Sequence, residues 1–213
     1  MKIKIKKQDK VKEFKLINKW EDVTLENWIK LIDFHKLNKS KEAEETIAAL
    51  SNIPKELIKE LELKDVAVIM NRIAELQQKQ NSSLKRVIEI DGKRYGFHPD
   101  LDSITLGEWS DLESMIKNNV EKHLPEIMAI LYRPIVEEQN DIYTIKAYDG
   151  DISIRAEQMK KMAAEQVQSA LVFFYHLGKE SLMTLPSFLT EQLKEMKEQL
   201  QQNHLQKSGG TLE

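Results

Sequence analysis

The chain has 213 residues, 31% of them charged and 41% apolar, with only 7 Gly and 5 Pro, a balance that suits a helix-rich, well-solvated fold. Its formal net charge of −3 supplies no global pull toward nucleic acid or a membrane surface. Cysteine is absent, which excludes disulfides, thiolate zinc sites and cysteine nucleophiles and fits a reducing compartment.

Residues 2–20 carry eight Lys against Asp9 and Glu13. Ile3 and Ile5 alternate with lysine, and Val11, Phe14 and Leu16 do so less regularly, which predicts two short strands around a turn near Gln8-Asp9-Lys10. The basic run reads as a contact for nucleic acid or an acidic partner; more plainly, it reads as edge-strand lysines that deter sheet-to-sheet aggregation. The opening Met1-Lys2-Ile3-Lys4-Ile5 has no apolar h-region, so no secretory leader is expected. No stretch approaches the roughly 20 apolar residues of a membrane helix.

Val23-Thr24-Leu25-Glu26-Asn27-Trp28 reads as a helix start. Thr24 is the N-cap, and Val23 is placed to staple over Trp28. The spacing predicts helices over about 24–37, 40–51 (Ile47 and Leu50 inward), a short turn from Pro54 to Leu61, and 64–80. Gln77 to Ser83 reads as a linker. Val87, Ile88 and Ile90 precede Asp91-Gly92, and Tyr95 and Phe97 follow, the signature of a hairpin with a type I′ turn. Ile104-Thr105-Leu106-Gly107-Glu108-Trp109 then repeats the helix start, with Glu108 completing a capping box, and predicts a helix over 105–118. Pro125 suits a first helical turn, and Pro134 is expected to stop the helix behind it. Residues 141–148 alternate like a strand within an insert at 137–150. A long helix is expected over 154–177, ended by Gly178, and a last one starts at Pro186. Residues 205–213 are polar and expected to fray.

The two Thr-Leu starts lie 81 residues apart, Trp28 to Trp109, whereas Ile47-Ala48-Ala49-Leu50 through Pro54 lies 80 before Ile127-Met128-Ala129-Ile130 through Pro134. One single-residue gap reconciles the two offsets. The expected fold is therefore α+β and predominantly helical: two tandem hairpin–helix units, 1–80 and 84–180, an internal duplication, followed by a C-terminal helix at 181–204.

Signatures of chemistry are missing. The five His (35, 98, 123, 176 and 204) show no i,i+3 or i,i+4 pair for a metal. His98 reads as a turn residue. Asp100, Asp102, Glu108, Asp111 and Glu113 are crowded, but helix N-termini favour acids, and the spacing is not that of a calcium loop. No glycine-rich phosphate loop and no nucleophile elbow is present. The expectation is a protein that is not an enzyme and uses no metal or cofactor. The candidate contact residues are Tyr132 and Arg133, the adjacent aromatics Phe173, Phe174 and Tyr175, and Leu193 and Met196 on the last helix. For Arg133, the alternative to anchoring an acidic partner is to complement a helix C-terminus.

Ile104 to Trp109 with Asp111-Leu112-Glu113, Ala129-Ile130-Leu131-Tyr132-Arg133-Pro134-Ile135, and Ala170-Leu171-Val172-Phe173-Phe174-Tyr175-His176-Leu177-Gly178 together resemble small proteins of tailed bacteriophages, notably the crAss-like group, over about 95–180. Leu25 to Trp28, Ala48-Ala49-Leu50-Ser51-Asn52-Ile53-Pro54 and Leu61-Glu62-Leu63-Lys64-Asp65-Val66 are similar to the succession in phage tail assembly chaperones. The resemblance implies a role in morphogenesis. The protein would bind other phage structural or tail proteins, as a chaperone in the host cytoplasm or as a component of the virion. It implies no membrane partner and no catalytic residue; a nucleic-acid partner through the basic N-terminus is the competing expectation.

Overall fold

The computed structural model describes residues 2–7, 10–78, 83–140 and 142–180. These form an α+β, mostly helical protein. The chain divides into two compact units, one of residues 1–81 with 163–165, the other of residues 82–162 with 166–213. The proposed helix at 181–204 and the tail at 205–213 lie outside the described residues.

In the first unit, β1 (Lys2–Lys7) pairs antiparallel with β2 (Lys10–Lys15), Lys2 opposite Lys15 and Lys7 opposite Lys10. A 3-10 turn at Trp20–Asp22 leads into α1 (Leu25–Phe34), followed by α2 (Lys39–Leu50), α3 (Lys55–Ile58) and α4 (Leu63–Gln78). Apolar periodicity places Leu25, Trp28 and Leu31 of α1 and Ile47 and Leu50 of α2 in the core, with Ile69, Ile73 and Leu76 of α4 buried too.

In the second unit, β3 (Val87–Ile90), β4 (Lys93–Phe97), β5 (Tyr132–Gln139) and β6 (Ile142–Ile145) form an antiparallel sheet in that order. The first turn has the positive φ that type I′ requires, 52° at Asp91 and 74° at Gly92. The helices are α5 (Leu106–Lys117), α6 (Leu124–Leu131), α7 (Ser153–Met159) and α8 (Ala164–Glu180). In α6 every residue but Glu126 is buried.

Three expectations need correction. Pro134 does not end a helix: α6 stops at Leu131, and Tyr132 to Pro134 open β5, paired with Phe97 to Tyr95 of β4. The long helix of 154–177 is two helices, because Ala164 N donates to Val23 O at 2.8 Å and so leaves the helical ladder. Gly178 lies within α8 and does not terminate it.

The repeat is structural, and from Leu16 to Ile53 its step is 81 without a gap; the pairs that close the two hairpins, Lys7 opposite Lys10 and Ile90 opposite Lys93, differ by 83. Leu16 bridges Ser51, as Phe97 pairs with Tyr132. Ile17 N donates to Leu50 O at 3.1 Å, as His98 N does to Leu131 O at 2.7 Å. Trp28 N donates to Thr24 O, as Trp109 N does to Thr105 O. The 3-10 turns at Trp20–Asp22 and Leu101–Ser103 keep the same step. The 80-residue offset came from aligning Pro54 with Pro134, which are not equivalent; Pro134 corresponds to Ile53. The tryptophans differ in depth: Trp28 is buried and Trp109 only half-buried.

Gly96 lies under the Tyr143 ring, whose hydroxyl donates to Phe97 O at 2.7 Å and also lies 3.1 Å from Arg86 O. A Cβ at Gly96 would stand 2.6 Å from Tyr143 Cδ2 and 2.9 Å from Ile145 Cγ2. Gly96→Ala is therefore expected to destabilise the protein by about 1–3 kcal/mol through overpacking, measured by denaturant unfolding; Gly92→Ala, which meets no neighbour, should act only through its positive φ.

Candidate functional site

Two of the distinctive sequence runs meet in the second unit. Thr105 caps α5, its Oγ1 accepting from Glu108 N at 3.3 Å while Thr105 N donates to Glu108 Oε2 at 2.7 Å. The Thr105 hydroxyl donates to the same Oε2 at 2.7 Å. Held this way, Glu108 turns Oε1 to within 2.6 Å of Arg133 Nη2 and 3.6 Å of His98 Nε2. Arg133 is carried there by the start of β5, opposite Gly96. All three are interior side chains, with Glu108 1%, Arg133 4% and His98 7% exposed.

Further polar groups surround the pair. The Tyr148 hydroxyl donates to Asp111. Arg155 is buried; its Nε donates to Ala129 O at 3.3 Å, and Nη1 and Nη2 reach Asp149 Oδ1 at 3.3 and 3.2 Å. Lys146 meets Asp149 Oδ2 at 2.9 Å.

Environment sets the protonation states. Burial lowers the His98 pKa, and the Arg133 charge lowers it further against the opposing pull of Glu108, so His98 stays neutral. Burial raises the Glu108 pKa, but the two hydrogen bonds from Thr105, Arg133 and His98 more than offset this, and it lies below the ordinary carboxylate range. Burial lowers the Arg133 pKa, with Glu108 opposing. Asp149 is held at about 2 by its hydrogen bonds from Lys146 and Arg155. The cluster is a compensated ion pair around a neutral imidazole. It ties the start of α5, the β4–β5 pairing and the 146–155 segment to one another. Among the described residues, no group of three or more His, Cys, Asp or Glu is placed to hold a metal ion, and no helix is long and apolar enough to cross a membrane.

The chain matches no family model, no curated protein and no solved structure.

The predicted contact residues are dispersed. Tyr132 is fully buried, its hydroxyl donating to Lys85 O at 2.7 Å and its ring edge-on to Phe97 at 5.2 Å. With Arg133 also interior, this corner offers no side-chain surface to a partner. Phe173 is half-buried and packs edge-on against Phe97 at 5.6 Å, and Phe174 is buried. Tyr175 lies on α8; Leu193 and Met196 lie outside the described residues. His98, read from sequence as a turn residue, is the interior residue that the sequence reasoning missed. Its signal was an equivalence: at the common step, His98, Glu108 and Arg133 stand where the first unit has Ile17, Asn27 and Asn52.

An open feature belongs to the first unit. A groove of about 820 Å³ runs between β1 and α4; Ile3, Ile5, Leu61, Val68 and Ile69 line it together with the charged Lys4, Lys64, Glu60, Glu62 and Asp65. Val68 is 68% exposed and Leu63, at the start of α4, is 85% exposed.

Removing one partner strands a buried charge, so Arg133→Met is expected to cost about 3–5 kcal/mol, read from denaturant midpoints. The pH dependence has a defined sign. His98 has a folded pKa below its unfolded one, so the unfolded chain takes up the extra proton, and stability falls as pH drops below about 6.5. Glu108 is also depressed, and its contribution is lost as pH falls from about 4.5 through its folded pKa. His98→Gln should flatten the melting temperature between about pH 5 and 7 and leave the acid limb in place.

Proposed function

We propose that this protein acts by binding other proteins in tailed-bacteriophage assembly, as a tail assembly chaperone. The observation that carries the binding role is the open groove beside β1, part apolar and part charged, set beside a hairpin of marked positive charge. Ile3, Ile5 and Val68 offer apolar surface, while residues 2–15 hold seven Lys against Asp9 and Glu13. Lys2 and Lys4 share a single carboxylate, Glu13, at 3.0 and 3.5 Å. The groove, whose rim carries both carboxylates and lysines, suits an amphipathic segment with charges of both signs, taken from a phage tail protein. The phage context comes from the resemblance of the sequence runs. The buried Glu108–Arg133 pair gives no support to an enzymatic role: although Glu108 Oε1, Arg133 Nε and His98 Nδ1 lack a hydrogen-bond partner among the described residues, the pair is enclosed and presents no surface to a substrate.

The lysine hairpin favours a second reading, contact with nucleic acid, which would weaken steeply with salt. Retardation of DNA at low salt, lost on replacing Lys2, Lys4 and Lys6 by Gln, would support it; no retardation removes it.

The assembly role is tested by co-purification from infected cells and mass spectrometry of purified particles. A tail protein is expected to be recovered with the wild-type chain and lost with Val68→Asp, whose exposed site should leave the melting temperature unchanged. Recovery of the chain in mature particles at the stoichiometry of a structural protein would replace the chaperone reading with that of a virion component.

A further inference from the structure

The two units place the same Thr-Leu edge in different surroundings. In the first, Ala164 N donates to Val23 O at 2.8 Å and Ala163 forms an antiparallel bridge with Thr24. Leu25, next in the chain, is fully buried. The common step carries this edge to Ile104-Thr105-Leu106. There no described residue donates to the Ile104 carbonyl, and Leu106 is 84% exposed. The second edge is the first with its strap removed.

We infer that this edge is a docking site and that its occupant is the chain's own segment Phe188–Leu193. The inference does not depend on the assembly role. The strap of the first unit continues as Met162-Ala163-Ala164-Glu165-Gln166-Val167. Beyond the described residues, 26 positions after Met162, the chain reads Phe188-Leu189-Thr190-Glu191-Gln192-Leu193. Both runs have a large apolar residue, two residues, Glu-Gln, then an aliphatic residue, with Met159 and Leu185 three places ahead. The run that covers the first edge thus has a counterpart for the second, as it must if a repeated edge is to be covered twice.

The distances within the second unit allow it. Phe173 packs on Phe97 at 5.6 Å, and the adjoining His98 lies 3.6 Å from Glu108 in the first turn of α5. From Phe173, α8 advances about 10 Å to Glu180. The eight Cα steps from Glu180 to Phe188 span up to about 28 Å, enough to return to the start of α5. Docking would cover Leu106 and give the Ile104 carbonyl a donor.

The chain has no cysteine, so one engineered pair reports the contact. Thr24 opposite Ala163 sets Leu25 opposite Met162, and the equivalent pair is Leu106 and Phe188. In the full-length chain at low micromolar concentration, Leu106→Cys with Phe188→Cys should form an intramolecular disulfide under mild oxidation. It should do so at least about tenfold faster than Leu106→Cys with Gly209→Cys, reflecting a held contact and not mere tethering. Equal rates, or a product made only of crosslinked dimers, overturn the proposal, the dimers pointing to a second copy's tail. A second readout keeps Phe188. The thiol of Leu106→Cys alone should react with a maleimide severalfold faster when Leu193→Asp is added; an unchanged rate overturns the proposal, since the segment then does not shield the edge.

Discussion

Burying a glutamate and an arginine together is the constraint around which the second unit is arranged. Neither charge could be held there alone, because the loss of hydration outweighs any packing gain. Glu108 is stabilised by three kinds of partner: the cap residue Thr105 through backbone and hydroxyl, the Arg133 guanidinium, and the adjacent His98 ring. His98 remains neutral because burial disfavours its charged form, and the neighbouring Arg133 charge adds to this. The cluster therefore carries no net charge, and each member fixes an element: Glu108 the start of α5, Arg133 the start of β5, His98 the end of β4. Such a pair contributes less to stability than an apolar replacement of good fit could; its effect is to make any other register of β5 on β4 expensive.

The first unit shows why the pair exists only once. At the equivalent places stand Asn27 and Asn52. Asn52 is exposed and simply accepts from Lys15 N through its side chain at 2.5 Å. The difference is the second unit's insert. The β5–β6 hairpin and the 146–155 segment bring Tyr148, Asp149 and Arg155 over this region. Once covered, a lone polar residue would lose its water, and matched charges supply the missing partners. The insert and the ion pair are thus one structural solution. They arise where the two copies of an otherwise equivalent hydrogen-bond pattern diverge.

This division explains what could be read from the sequence. Helix starts were legible because caps are local: Thr24 and Thr105 each accept from the amide three residues on, and one pattern suffices to recognise both. The Asp91-Gly92 turn was legible for the same reason. The break between α7 and α8 was not, because the apolar stripe continues across it, and the competing bond comes from Val23, far away in sequence. Nor was the role of Tyr132 and Arg133. Aromatic and arginine side chains near a proline read as an exposed corner, and only the pairing of β5 with β4 turns them inward. The repeat lay between these cases. Its existence showed in the Thr-Leu echo, but its register was drawn off by two prolines that lie in unrelated backbone, Pro54 before α3 and Pro134 in β5.

The register matters because it turns each unit into a control for the other. With a step of 81, Leu25 and Leu106 hold the same place on the same helix turn, yet one is fully buried and the other 84% exposed. Intrinsic preference cannot account for this, since residue, cap and helix position agree. What differs is the chain that runs alongside: Ala163 and Ala164 pair with the first edge through the backbone, and no described segment makes a bridge or backbone hydrogen bond of that kind to the second. A leucine in the first helical turn gains nothing from exposure, and many polar residues would serve a solvated position as well. The retained Thr-Leu pair in the second unit is therefore best understood as half of a contact. Its other half is sought among residues that repeat the pattern of the strap, not among surfaces chosen for hydrophobicity alone.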